Sequence, residues 1–303
     1  MRDLLKNPVA LLLATGALIG FNFPLGKISA EAGVPPMVWA LVLSAGVCLT
    51  LLPLLLLGGK FSFPKGKAIR YVVISAVISF VIPNILLFTV IPHVGSGFSG
   101  LMFALSPVFT LTISLMARLK GPSFLGVVGI VLGLIGATIV SFSRSQHADV
   151  SSYFWILAAL AVPLSLAFGN VYRTIDWPEG ESPDALAFWS HAVAVIIYLI
   201  LLGYQQNLEM TWSVFNVPEA LLFQLVFAGM TFPLFFRLQK AAGPVLLSQI
   251  GYVAAAVGLL AATLFLGEIY SPLTWVGAAV ITVGICVTIA AEIRKPKRVA
   301  LAV

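Results

Sequence analysis

Ten apolar runs of membrane-crossing length fill this chain and leave only short connectors between them. A crossing needs about 20 apolar residues at a rise of about 1.5 Å each. Runs of that kind lie at 8–28, 37–57, 69–91, 96–117, 123–143, 152–172, 185–203, 218–237, 244–266 and 272–291. Lipid offers no partner for backbone N–H and C=O groups, so a lone segment crosses it only as a helix. The sequence therefore predicts an all-α integral membrane protein with ten transmembrane helices, here called spans 1 to 10. Only 9% of its 303 residues are charged, against about 25% in soluble domains. The connectors are too short to hold a domain for nucleotide hydrolysis or soluble catalysis, and no Walker-type glycine-rich phosphate loop is present.

The first run follows Arg2 and Lys6 in the manner of a signal peptide, but it is too long for an h-region and further spans follow, so it counts as span 1. Cys48 and Cys286 fall inside spans without partners at metal-ligand spacing and read as small buried apolar residues. No catalytic residue, metal or cofactor is expected.

The net charge of +6 is explained by where the cations lie. With a cytoplasmic N-terminus, fifteen of the basic residues fall on the cytoplasmic side, and only Lys27 and Arg144 on the other. That is the positive-inside bias of a multi-pass protein with both termini in the cytoplasm, and it points to a plasma (inner) membrane rather than to nucleic acid. Tyr153, Trp155, Tyr204, Trp212, Tyr270 and Trp275 fall near the outer span ends, where an interfacial aromatic belt belongs. The acidic stretch Asp176 to Asp184 joins spans 6 and 7 on the inside, where acids weigh little in topology.

An offset of 148 residues brings Asn22 onto Asn170, Gly95 onto Gly243, Gly129 onto Gly277 and Gly136 onto Gly284 without a gap. Each half then holds five spans. An odd count turns the second copy upside down, giving inverted repeats over 1–146 and 147–303, an arrangement many secondary transporters use to build two gates around one midplane site.

Residues Arg237 to Ile285, RLQKAAGPVLLSQIGYVAAAVGLLAATLFLGEIYSPLTWVGAAVITVGI, together with GFNFPLGK in span 1 and ALSPVFT in span 4, carry a resemblance to the EamA-type drug/metabolite transporter superfamily. It resembles that family over nearly the whole chain. Two departures stand out: span 2 lacks an Arg near its start, where MVWALVLSAG stands, and span 9 lacks a Pro, where GYVAAAVG stands. Lys120 occupies the position the offset pairs with Glu268; the exchange of sign fits a cytoplasmic location for one and an outer location for the other. The resemblance implies a secondary transporter, an exporter or facilitator of a small polar or amphipathic metabolite such as an amino acid or drug-like solute. It also implies a cavity lined by spans 1, 3, 4, 6, 8 and 9.

Polar side chains at membrane depth are costly and mark candidate function. Asn22, Asn84, Asn170, Gln224 and Gln249 are the amides there, joined by Ser106, Tyr252 and Phe21 as candidate solute contacts. Phe23, Phe98 and Phe103 extend a candidate aromatic wall. The competing reading is interhelical glue, worth about 0.6 kcal/mol per bond, or ordinary packing for the rings. Pro24, Pro83, Pro107 and Pro233 remove donors for the carbonyls of Gly20, Ser79, Phe103 and Gly229, and so should disturb their helices close to these amides.

Lys27, Glu31, His93, Arg173 and Arg237 are the candidates for gating or charge pairing. Lys27 breaks the charge rule and has Glu31 four residues on as a pairing partner. Arg173 and Arg237 end spans 6 and 8 and read first as snorkelling anchors. His93 and His191 read as structural. Gly126, Gly129, Gly133 and Gly136 share one face of span 5 and invite close packing within the chain, or a homodimer.

No Asp or Glu lies mid-span, which favours a facilitator whose halves rock about Asn22 and Asn170; any coupling is expected at a helix-end residue such as Lys27, Glu268 or His93. Its partners are expected to be the solute and the bilayer. The alternatives are a membrane-embedded transferase, which would want a carboxylate cluster with a metal or a His/Asp pair, and a receptor that binds without flux.

Overall fold

A computed structural model describes residues 7–119, 121–145 and 150–294. Arg2, Lys6, Lys120, Lys295, Lys297 and Arg298 lie outside those residues, and so does the side chain of Arg144. The described residues form an all-helical bundle. Eight of its helices are long and apolar enough to cross a membrane, and two shorter apolar stretches, Phe124–Val140 and Ile250–Leu266, accompany them. The chain is a multi-pass membrane protein.

Several spans are broken, three of them beside a proline, whereas Pro233, expected to disturb its helix, sits inside a continuous stretch of the eighth span. The first starts at Asn7, whose side chain accepts from the amides of Val9 and Ala10 at 2.9 and 3.4 Å, and runs as α1 (Pro8–Gly20). At Phe21 it gives way to α2 (Asn22–Glu31), because Pro24 cannot donate to the carbonyl of Gly20. An unbroken α3 (Pro36–Leu57) returns. The third span starts as α4 (Lys67–Ser75), winds through a π segment at Ala76–Val81, and continues as α5 (Ile82–Val94). Pro83 lies just beyond the π segment, and the wider turn accommodates its missing donor. The fourth divides into α6 (Ser96–Phe103) and α7 (Ser106–Met116), the latter with Pro107 in its first turn.

The remaining elements are α8 (Phe124–Ser145), α9 (Val150–Ile175), α10 (Pro183–Tyr204), a 3-10 stretch at Leu208–Asn216, α11 (Pro218–Ser248), α12 (Ile250–Leu266) and α13 (Pro272–Ile293). Gly243 interrupts α11 with φ 75° and ψ −175°. Its counterpart at the 148-residue offset, Gly95, breaks the chain between α5 and α6 with φ 88° and ψ 155°. Residues with side chains avoid that backbone region, so glycine at both positions is a conformational requirement.

Helix neighbours also recur under the offset. The contact of α1 with α12 reappears as α9 with α7, that of α1 with α11 as α9 with α5, and that of α3 with α11 as α10 with α4 and the π segment; α3–α10 and α8–α13 map onto themselves. The α8–α13 contact is made by the repeat's own glycines. A Cβ on Gly136 would lie 2.6 Å from the carbonyl oxygen of Gly277, and one on Gly129 2.8 Å from that of Gly284. Gly133 receives the ring of Tyr252. Three of the four stripe glycines are thus occupied by this chain's own helices.

Cys286 is exposed on the outside of the bundle and Cys48 is partly exposed, which corrects the expectation that both are buried. The thiol of Cys48 faces the carbonyl of Phe188 at 4.0 Å.

Candidate functional site

Where the broken helices meet, they leave a small, partly open cavity. Its polar wall comprises Asn22 at the start of α2, Ser79 in the π segment, Asn84 on α5, Ser106 at the start of α7, Asn170 on α9 and Ser248 at the end of α11. Ile19, Leu43, Phe80, Leu87, Phe103, Leu166, Phe232, Phe235 and Ile250 supply the apolar wall. Helix breaks place polar groups here because each break leaves the ladder incomplete at membrane depth, which lipid does not tolerate but a polar cavity does.

The amides are tied down from behind. Gln224 Nε2 donates to Asn22 Oδ1 at 2.9 Å, so Gln224 orients Asn22 and does not line the cavity. Asn170 Nδ2 donates to Thr110 Oγ1 at 3.5 Å, and Asn170 Oδ1 accepts from Arg173 Nη2 at 2.7 Å. Of the other candidate contacts, Ser106 and Asn84 are on the wall, and three are not. Gln249 lines a second cavity on the opposite side of the α11–α12 break, with Gly121, Pro122, Ser123, Pro244 and Leu246. Tyr252 is buried against α8 and donates to the carbonyl of Ile130 at 3.2 Å. Phe21 packs on Phe227 with ring centroids 5.2 Å apart. In the candidate aromatic wall only Phe103 reaches the cavity; Phe23 packs edge-on against it at 5.1 Å, and Phe98 is buried in the neighbouring core.

Arg173 corrects the snorkelling expectation. It is 1% exposed. Its guanidinium donates to Gln239 Oε1 from Nε and Nη2 at 3.3 and 3.2 Å, and it lies 4.9 Å from the ring centre of Phe235 and 5.5 Å from that of Phe80. Gln239 Nε2 closes the network on the carbonyl of Asn170 at 3.1 Å and on Thr174 Oγ1. Arg237, by contrast, is partly exposed and pairs with Asp184 at 2.7 Å. Nearby, Arg70 Nε donates to Asp176 at 3.0 Å and the Tyr172 hydroxyl donates to the same carboxylate at 2.7 Å. The Arg70 hydrogen bond holds the Asp176 carboxyl below the usual carboxylate range.

At the other end of the bundle a carboxylate closes the structure. Glu268, just past the end of α12, receives Lys27 Nζ at 2.9 Å, the Ser96 amide at 3.1 Å, the Ser96 hydroxyl at 2.8 Å and the hydroxyl of Tyr270. The Gly97 amide is shared between Glu268 at 3.4 Å and the Tyr270 hydroxyl at 3.2 Å. A carboxylate on the free amides that open α6 also meets the positive end of that helix dipole. Burial pushes the pKa of Glu268 up, but the hydrogen bonds from Lys27 and Ser96 together outweigh it and leave the carboxyl below its ordinary value. Glu31, the expected partner of Lys27, is 3.8 Å away and exposed. Sequence reading of Lys27 found the cation and missed its main acid; the signal was the LGE that ends span 9, 241 residues away.

His93 stacks on Trp155 at 3.6 Å. His191 is buried with Nδ1 3.1 Å from Ser44 Oγ. Among the described residues no cluster of His, Cys, Asp or Glu has the makings of a metal site.

The EamA-like transporter family profile matches the chain over residues 7–142 and again over 153–290. The uncharacterized inner membrane transporter YedA of Escherichia coli strain K12 is 26% identical over 250 residues, spanning 82% of this chain and 79% of YedA. YedA of E. coli O157:H7 gives the same values. A solved crystal structure superposes with a TM-score of 0.60 at 15% identity, covering 94% of this chain and 98% of that one, so the fold is shared.

Proposed function

Since the chain belongs to the EamA-like transporter family and is a membrane transporter, we propose that it carries a small polar or amphipathic metabolite by alternating access between two inverted five-helix repeats, residues 1–146 and 147–303. The observation that carries this reading is the cavity that brings Asn22 and Asn170, equivalent under the repeat, to one wall where four broken spans meet. Discontinuous helices around a midplane site are how inverted-repeat carriers bind solute. The recurrence of helix neighbours and the paired breaks at Gly95 and Gly243 support ten crossings in two copies.

The charge bias puts both termini in the cytoplasm, which makes the Lys27–Glu268 cluster the outer gate and the α11–α12 side, with its second cavity at Gln249, the inner one. The gate is closed outside by ion pair and helix cap. Family membership points to a transporter rather than an enzyme.

Counterflow in proteoliposomes, screened over amino acids, purines and quaternary ammonium dyes, tests the reading. Asn22→Ala and Asn170→Ala should each lower flux of the solute that exchanges by about tenfold or more, the worth of a lost buried hydrogen bond of about 1.4 kcal/mol. Unchanged flux in two well-folded variants would remove both residues from the site. With no mid-span carboxylate, the carrier is a facilitator. Accumulation against a gradient only under an imposed pH difference would overturn that part and leave the site intact.

A further inference from the structure

Arg173 is a guanidinium buried in the protein near the end of its span, without a counter-charge among the described residues. Among the described residues the ion pairs are Lys27 with Glu31 and Glu268, Arg70 with Asp176, and Arg237 with Asp184, so no carboxylate pairs with Arg173. Its hydrogen-bond acceptors are the neutral amides of Asn170 and Gln239, and its Nη1 is buried with no partner. Aromatic rings soften the cost of a buried cation without neutralising it, and an unpaired buried charge remains expensive. The guanidinium is one side chain from the cavity: Asn170, Phe80 and Phe235, its contacts, are all on the cavity wall.

The side-chain atoms left unsatisfied around that cavity share a chemistry. Ser79 Oγ is buried on the wall with no partner and can donate, as can Arg173 Nη1 behind it, while Asn84 Nδ2, also a donor on the wall, leans toward the Tyr198 hydroxyl. Other orphaned atoms nearby, Gln224 Oε1 behind Asn22 and His191 Nε2 behind Phe80 and Phe232, lie off the wall. A site whose spare capacity is a cation and donors fits an acceptor-rich anion, and the leucines, phenylalanines and isoleucines around it fit an apolar body.

We propose that the cavity takes a carboxylate carried on an apolar body, with the carboxylate drawn to the Arg173 end between Ser79 and Asn170. The anion supplies the missing counter-charge across Asn170, and a delocalised guanidinium held in place by its amide and ring neighbours suits that role better than a lysine ammonium. This rests on the transporter reading for its location, while its test is a binding measurement.

Phenylacetate, 2-phenylethanol and phenethylamine share a ring and differ in head group. Titrated at neutral pH into the full chain in nanodiscs, phenylacetate should bind at least tenfold tighter than phenethylamine. Arg173→Gln should erase that preference while leaving 2-phenylethanol unchanged, and Arg173→Lys should retain part of it. The 2-phenylethanol affinity doubles as the folding control, since a collapsed site loses all three probes. Equal binding of amine and acid, a preference that survives Arg173→Gln, or no binding of phenylacetate overturns the proposal. Carboxylate binding without counterflow would overturn the transporter reading instead and leave the assignment of Arg173 in place.

Discussion

Glu268→Ala should loosen the closure at the Lys27 end of the bundle, proposed above as a gate. Hydrogen–deuterium exchange at the Ser96 amide is expected to rise at least tenfold, because Glu268 is its acceptor and the first amides of α6 have no helical one. Gly97 should respond less, since the Tyr270 hydroxyl still accepts from it. Lys27 loses its main partner while only 25% exposed, and the loss of charge-assisted bonds in a largely buried cluster should cost about 2 to 3 kcal/mol. Acid should mimic the variant. The Glu268 carboxyl is held below its ordinary value in the closed state, so the closure is fully present above the usual glutamate range and fades as pH falls through that lowered value. Ser96 should therefore stay protected at mildly acidic pH and lose protection only in stronger acid. Equal exchange in wild type and variant would mean that the cluster does not hold this end shut.

Substitutions on α8 should separate a structural stripe from a decorative one. Gly136→Ala places a methyl carbon 2.6 Å from the Gly277 carbonyl oxygen and 2.8 Å from the Ile281 amide nitrogen, both backbone atoms of α13 that yield only if the helices part. Overpacking of this kind costs about 1 to 3 kcal/mol, and the thermal midpoint of the purified protein should fall. Gly126→Ala meets only Pro122 and Ser123 of its own turn, the nearest atom being Pro122 Cβ at 3.1 Å. It should be neutral or raise the midpoint, because alanine favours helix over glycine by about 1 kcal/mol. Equal effects at both positions would show that the α8–α13 contact is looser than its glycines imply.

What the sequence disclosed divides along a physical line. Spans were legible because lipid imposes a length and a composition, and the helix breaks near Pro24, Pro83 and Pro107 were legible because a missing donor has a fixed address. Asn22, Asn84 and Ser106 reach the cavity for the same reason, lying beside those breaks, whereas Asn170 faces it from the unbroken α9. Pairings across the chain were not legible. Gln224 behind Asn22, Glu268 on Lys27 and Gln239 under Arg173 are separated from their partners by 202, 241 and 66 residues. Arg173 looked like an anchor because its position at a span end is the same for a snorkelling side chain and a buried one. Only the fold distinguishes them, by laying Phe80, Phe235 and Phe236 around the guanidinium.

Ser79 escaped notice for a subtler reason, which lies in the π segment at Ala76–Val81. On a regular helix, side chains five apart are rotated by about 140° from one another, and Ser79 and Asn84 would face different neighbours. An i→i+5 turn adds a residue to the revolution and brings them onto one cavity wall together. The segment works like a vernier between two scales: α4 keeps the phase that suits its contact with α10, while α5 takes the phase that aims Asn84 inward. Removing one residue from it would leave a longer unbroken α-helix that is locally better bonded, yet with one of its two faces pointing the wrong way.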